Sequence, residues 1–170
     1  MAASESIPDL VRAAQITAKS SYDQMSEILD KTVDQELTDA QTKELAEHTV
    51  AIELAAVDIF AVFEARMQRH FKRGPLSRKV KAALLEARQP DLADRLYQHY
   101  LAINVLKHGA GASHRELLGN RSKMFVVKQT SEETAKEGEV LTGLVDVTAP
   151  QFFSGLADTI LDACQFLENR

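Results

Sequence analysis

The stretch Thr38–Lys72, TDAQTKELAEHTVAIELAAVDIFAVFEARMQRHFK, carries the longest helical pattern in this chain of 170 residues. Thr38-Asp39-Ala40-Gln41 has the form of a capping box, in which the threonine oxygen and the glutamine amide each satisfy an otherwise unpaired backbone N–H. Beyond it Leu45, Thr49, Ile52, Ala56, Ile59, Phe63 and Met67 recur at the spacing that places them on one stripe of a helix. Phe60 and Phe71 widen that stripe, so the phenylalanines read as core rather than as a base-stacking platform. The helix is expected to run to about Lys72 and to stop at Gly74-Pro75.

Working outward, Ser6-Ile7-Pro8-Asp9 reads as an N-cap with proline in the first turn. It predicts a short helix to about Ser20 and a second over Ser21–Val33. C-terminal to the long helix, Leu76–Arg88 forms another, and Pro90 opens one that ends at Gly109. Ser113-His114-Arg115-Glu116 fits a second capping box, starting a short helix through Leu118. The period then shifts. Met124–Val127 and Val140–Val147 are β-rich and bracket the polar loop Ser131–Gly138, which predicts a small β-hairpin over 123–147. Thr148-Ala149-Pro150-Gln151 caps a final helix ending near Glu168. Short connections favour antiparallel packing. The expectation is one domain over 1–170, mainly α: an antiparallel helical bundle with an appended hairpin and a last helix over 148–169.

Hydrophobic residues at 45% and charged residues at 26% exclude a fully disordered chain. A single cysteine, Cys164, rules out an intrachain disulfide and lies in an apolar pattern that marks it as core. Met1–Leu10 lacks the cationic and apolar regions of a secretory signal, and no run of apolar residues is long enough to span a bilayer. A cytoplasmic protein with no membrane partner is expected. Glycine-rich phosphate motifs and the GxSxG elbow are absent, and His48, His70 and His114 lack the spacing of a closed zinc site. Glu44 and His48, one turn apart, stand alone. No cofactor and no metal is expected.

The net charge of −5 argues against a nucleic-acid binder only until the chain is divided. Residues 1–64 hold 13 acids and 4 bases, and residues 129–170 hold 8 acids and 2 bases. Residues 65–128 hold 4 acids and 14 bases, a local excess of +10. Arg66, Arg69, Lys72, Arg73, Arg78, Lys79 and Lys81 follow one another with no acid between them. That run is a candidate phosphate-backbone surface for RNA. Its alternative is intramolecular, with basic and acidic helices neutralising each other within one bundle or between two subunits.

The segment with most chemical content is Tyr97–Leu118, YQHYLAINVLKHGAGASHRELL. Asn104 and His108 are four apart and project from one face of the last turn of a helix, where the negative end of the helix dipole favours a protonated imidazole. Gly109-Ala110-Gly111-Ala112 then bends the chain. Side chains paired with backbone at a helix end, beside glycines that only make a turn, would account for the same pattern. Arg95 and His99, also four apart, read as an exposed helix pair flanking Asp94.

Asn104-Val105-Leu106-Lys107-His108-Gly109, continued by Gly111 and Ser113, resembles the signature of the HEPN superfamily of helical bundles, over roughly 41–118. The resemblance implies a metal-independent ribonuclease working at a cleft between two subunits, of the kind found in stress and defence systems. It assigns His108 as general acid/base and Asn104 as its polar companion. The arginine of the signature has no counterpart, because Ile103 stands in its place and cannot stabilise an anion. Arg115 ranks first as a substitute cation. Glu64, at the edge of the long helix, would orient His108 if the two are neighbours; otherwise it is a solvated edge residue. Three readings follow: a module with a degraded signature that binds RNA or a protein partner such as an antitoxin, an active ribonuclease, or a purely structural helical dimer. Ile103 favours the first, and a homodimer is implied in each.

Overall fold

A computed structural model describes residues 5–120, 124–129 and 143–170. The chain is mainly helical, with six helices among these residues: α1 (Ile7–Lys31), α2 (Asp39–Met67), α3 (Leu76–Glu86), α4 (Pro90–His108), α5 (Ala112–Gly119) and α6 (Pro150–Glu168). None of them is long and apolar enough to cross a membrane.

The two expected N-terminal helices are one. No glycine or proline interrupts the chain between Pro8 and the turn at Gly74, and Ser21, at the expected boundary, is buried at its centre. Ser6 caps α1 by accepting the Asp9 N–H at 3.3 Å, and the Thr32 hydroxyl closes it by donating to the Ile28 carbonyl at 2.8 Å. The capping box of α2 forms as its sequence requires: Thr38 Oγ1 accepts the Gln41 N–H at 3.1 Å, and Gln41 Oε1 accepts the Thr38 N–H at 2.9 Å. Regular α-helix ends at Met67, and a single 3-10 turn, Gln68–His70, carries the chain into Gly74, whose φ of +102° suits glycine.

The core gathers one face of α2 (Ile52, Ala56, Ile59, Phe60, Phe63 and Met67) against α1, α4 and α6. Helix α4 packs against α2, α3, α5 and α6, and it buries polar Gln98 and His99 as well as Leu96, Leu101, Ile103 and Val105. Cys164 lies within the same core, 3% exposed, where burial first and the Glu168 carboxylate second push its thiol up to about 11.

The Arg95/His99 pair is not an exposed one. His99 is 1% exposed, sits edge-on to Phe125 at 4.9 Å, and donates from Nδ1 to the Arg95 carbonyl at 2.8 Å. Its Nε2 is buried without a partner, facing the Gly155 backbone of α6. Arg95 reaches across instead to Asp162, at 3.0 Å.

The expected hairpin reduces, among the described residues, to one antiparallel bridge between Val127 and Val145, with no strand. Two backbone hydrogen bonds hold it, Lys128 N–H to the Leu144 carbonyl and Asp146 N–H to the Val126 carbonyl. The predicted loop Ser131–Gly138 and residues 140–142 lie outside the described residues. Burial does not follow the alternation of a strand: Phe125, Leu144, Val145 and Val147 all enter the core, and Leu144 and Val145 are neighbours in sequence. Alternation was a poor guide to pairing as well, because side-chain burial and the Tyr22 hydroxyl, which donates to the Val147 carbonyl at 2.6 Å, hold the segment instead of a ladder. The expected Thr148 cap is not made either. Proline at the first position and Ala149 before it start α6, while Thr148 donates its N–H and its hydroxyl to Asp146.

Candidate functional site

Helix α5 folds back beside α4 because Gly109, the C-cap of α4, takes φ +73° and ψ −148°, a region that side chains with a Cβ avoid. Gly111 is the residue before α5, which begins at Ala112, two residues earlier than a Ser113 cap would require. Ser113 is therefore inside the helix, and the second capping box does not form. Its hydroxyl instead accepts from Asn104 Nδ2 at 3.4 Å. His114, next to it, turns into the core and bonds the Lys128 carbonyl at 2.7 Å.

The fold-back of α5 and the packing of α3 along α4 leave a groove of about 480 Å³. Arg78 and Lys81 of α3, one turn apart, line one wall; Tyr97, Tyr100 and Asn104 line the floor from α4; Ser113 and Glu116 close it from α5. The two tyrosine rings stack with centroids 6.2 Å apart and 23° between planes. Lys81 Nζ sits 4.2 Å from the Tyr97 ring centroid, a cation–π contact. The Tyr97 hydroxyl donates to Glu116 Oε1 at 2.6 Å. That hydrogen bond, then burial, pushes the Tyr97 phenol up to about 12, with the nearby Arg78 charge acting the other way. Half-buried Glu64 lines a separate, largely apolar pocket that shares Tyr97 and Tyr100 with the groove, and burial raises its carboxyl while the Lys107 charge opposes the rise.

Of the residues singled out from sequence, Asn104, Arg78 and Lys81 come together. His108 is exposed at the end of α4 and is not among the groove-lining side chains. Arg115 is exposed on α5, whose groove face carries Ala112, Ser113 and Glu116. Ile103 is 2% exposed and belongs to the core. The seven-cation run is divided. Arg66 donates to the Glu5 backbone carbonyl and Arg69 pairs with Glu168 at 3.6 Å, both away from the groove. Lys72, Arg73 and Lys79 are exposed, and the Lys79 stem lies close over Gly74.

Sequence reasoning missed Tyr97, Tyr100 and Glu116 as groove residues. The spacing of the tyrosines, three apart in YQHY, was the available signal for a shared helix face. Among the described residues no three His, Cys, Asp or Glu side chains converge as a metal site would need. Comparison with protein-family models, with curated proteins and with solved structures finds nothing that matches this chain.

Proposed function

We propose that this chain is a HEPN-like module with a degraded signature, which binds RNA in the α3–α4–α5 groove and does not cleave it. One observation carries the reading. Asn104 shares a groove with two cations and two stacked tyrosines, whereas the neighbouring signature position, Ile103, is turned into the core. Phosphodiester cleavage needs a cation where negative charge develops on phosphate. Binding needs only backbone cations and a surface on which a base can stack, and the groove supplies both. Stress or defence regulation is the setting the resemblance suggests, with a homodimer as the assembly; a monomeric mass at micromolar concentration would remove the dimer. The ion pair of Arg69 with Glu168 supports intramolecular neutralisation at that one position of the cationic run.

The test is incubation of the wild type, His108→Ala and Arg78→Ala/Lys81→Ala with mixed RNA in the absence of metal, following both binding and chain length. The expected result is salt-dependent binding without cleavage, weakened in the double variant and unchanged by His108→Ala. Cleavage that disappears in His108→Ala would establish the ribonuclease instead. No binding at low salt would refute the RNA reading.

A further inference from the structure

The groove contains a group that a site for phosphates alone would not use. Its α3 wall carries Arg78 and Lys81, and no acid occurs between Arg66 and Lys81, yet the facing wall presents the Glu116 carboxylate. A carboxylate repels phosphate, so its presence calls for N–H donors on whatever the groove holds. Oε1 accepts the Tyr97 hydroxyl, which holds the carboxylate in place and leaves Oε2, with the remaining lone pairs, to accept from a ligand.

We propose that the groove selects an unpaired guanine base, with Glu116 as the residue that reads it; this rests on the RNA-binding reading above. Stacking on Tyr97 and Tyr100 tolerates any base, since every base has a π face, so selection falls to the groups that meet the base edge. Guanine presents two adjacent N–H donors, N1–H and the 2-amino group, which match two carboxylate oxygens. Adenine and cytosine place one amino donor beside a ring acceptor that a carboxylate repels, and uracil has a single N–H between two carbonyls. In a duplex these edges are occupied by pairing, so the base must be single-stranded. Asn104 keeps a second amide N–H after its contact with Ser113, the donor that guanine O6 requires. Arg78 and Lys81 then flank the base as partners for its phosphates. A groove of about 480 Å³ is of the size that holds a nucleotide.

The experiment measures fluorescence anisotropy of the full chain with a labelled oligouridine of about eight nucleotides and with two relatives carrying one central guanine or one central adenine. The guanine oligonucleotide is expected to bind about tenfold tighter than the other two, the discrimination of a two-point edge contact. Glu116→Gln retains an acceptor for the Tyr97 hydroxyl but loses one for the base. It should remove the guanine preference, bringing the three oligonucleotides to one affinity, with thermal melting checking that the variant is folded. Guanosine monophosphate should displace the oligonucleotide at lower concentration than uridine monophosphate does. Equal affinity for the three oligonucleotides would overturn guanine selection and leave RNA binding standing. A guanine preference that survives Glu116→Gln would overturn the role of Glu116. Failure of all three to bind at low salt would overturn both readings together.

Discussion

Replacing His99 by leucine should flatten the acid side of the stability profile. The ring is 1% exposed, its Nδ1–H is given to the Arg95 carbonyl, and its Nε2 has no hydrogen-bond partner. Protonation would place a charge in the core beside Phe125 and the Gly155 backbone, with the Arg95 guanidinium as an unfavourable neighbour. Burial, the first cause, lowers the group from 6.5 to about 4. The unfolded chain therefore binds a proton that the folded chain rejects, and stability falls as pH drops below about 6.5, levelling off near 4. Each pH unit within that window is worth about 1.4 kcal/mol, so from pH 7 to pH 5 this group alone removes about 2 kcal/mol. Urea unfolding followed by far-ultraviolet circular dichroism at pH 7, 6 and 5 measures the effect. Wild type should lose about 2 kcal/mol more than His99→Leu over that range. A difference between the two proteins that stays constant with pH would refute the buried neutral imidazole.

Two further substitutions test what positions the groove and the last helix. Gly109→Ala forces a Cβ onto a backbone conformation that is almost confined to glycine, and should cost about 1–3 kcal/mol in the same unfolding assay while weakening RNA binding. An unchanged melting temperature would mean that α5 is not held by that turn. Tyr22→Phe removes the 2.6 Å hydrogen bond to the Val147 carbonyl and should cost about 1 kcal/mol, read as a lower urea midpoint at constant slope. A neutral result would leave the burial of Val145 and Val147 and the two backbone hydrogen bonds of the bridge to anchor the segment before α6.

Helix starts were most legible where a residue acts on its own backbone. Thr38 and Ser6 cap locally, and Pro90 and Gly109 bound α4 because their dihedral preferences act regardless of what packs around them. Ser113 and Thr148 carry the same local signal and do something else. Gly111 and Pro150 start those helices first, which frees both hydroxyls for other partners. Asn104, Arg78 and Lys81 could be named from pattern and charge. Their union with Tyr97, Tyr100 and Glu116 could not, since it depends on the angle at which α5 returns beside α4. His99 was misplaced for a related reason. A histidine four residues from an arginine looks solvated in one helix, and only the arrival of Phe125 and α6 encloses it.

The orientation of α4 has an evolutionary consequence. An arginine introduced at 103 would not sit over a phosphate; it would enter the core as a buried cation without a partner, at a cost of several kcal/mol. A single substitution at 103 therefore adds no charge to the groove, because packing excludes it first. Bringing a cation from that position to the groove would require α4 to turn about its axis, repacking Leu101, Ile103 and Val105 together. Selection acting on single substitutions would more readily explore the α5 wall of the groove, where Ser113 and Glu116 can change without disturbing the bundle.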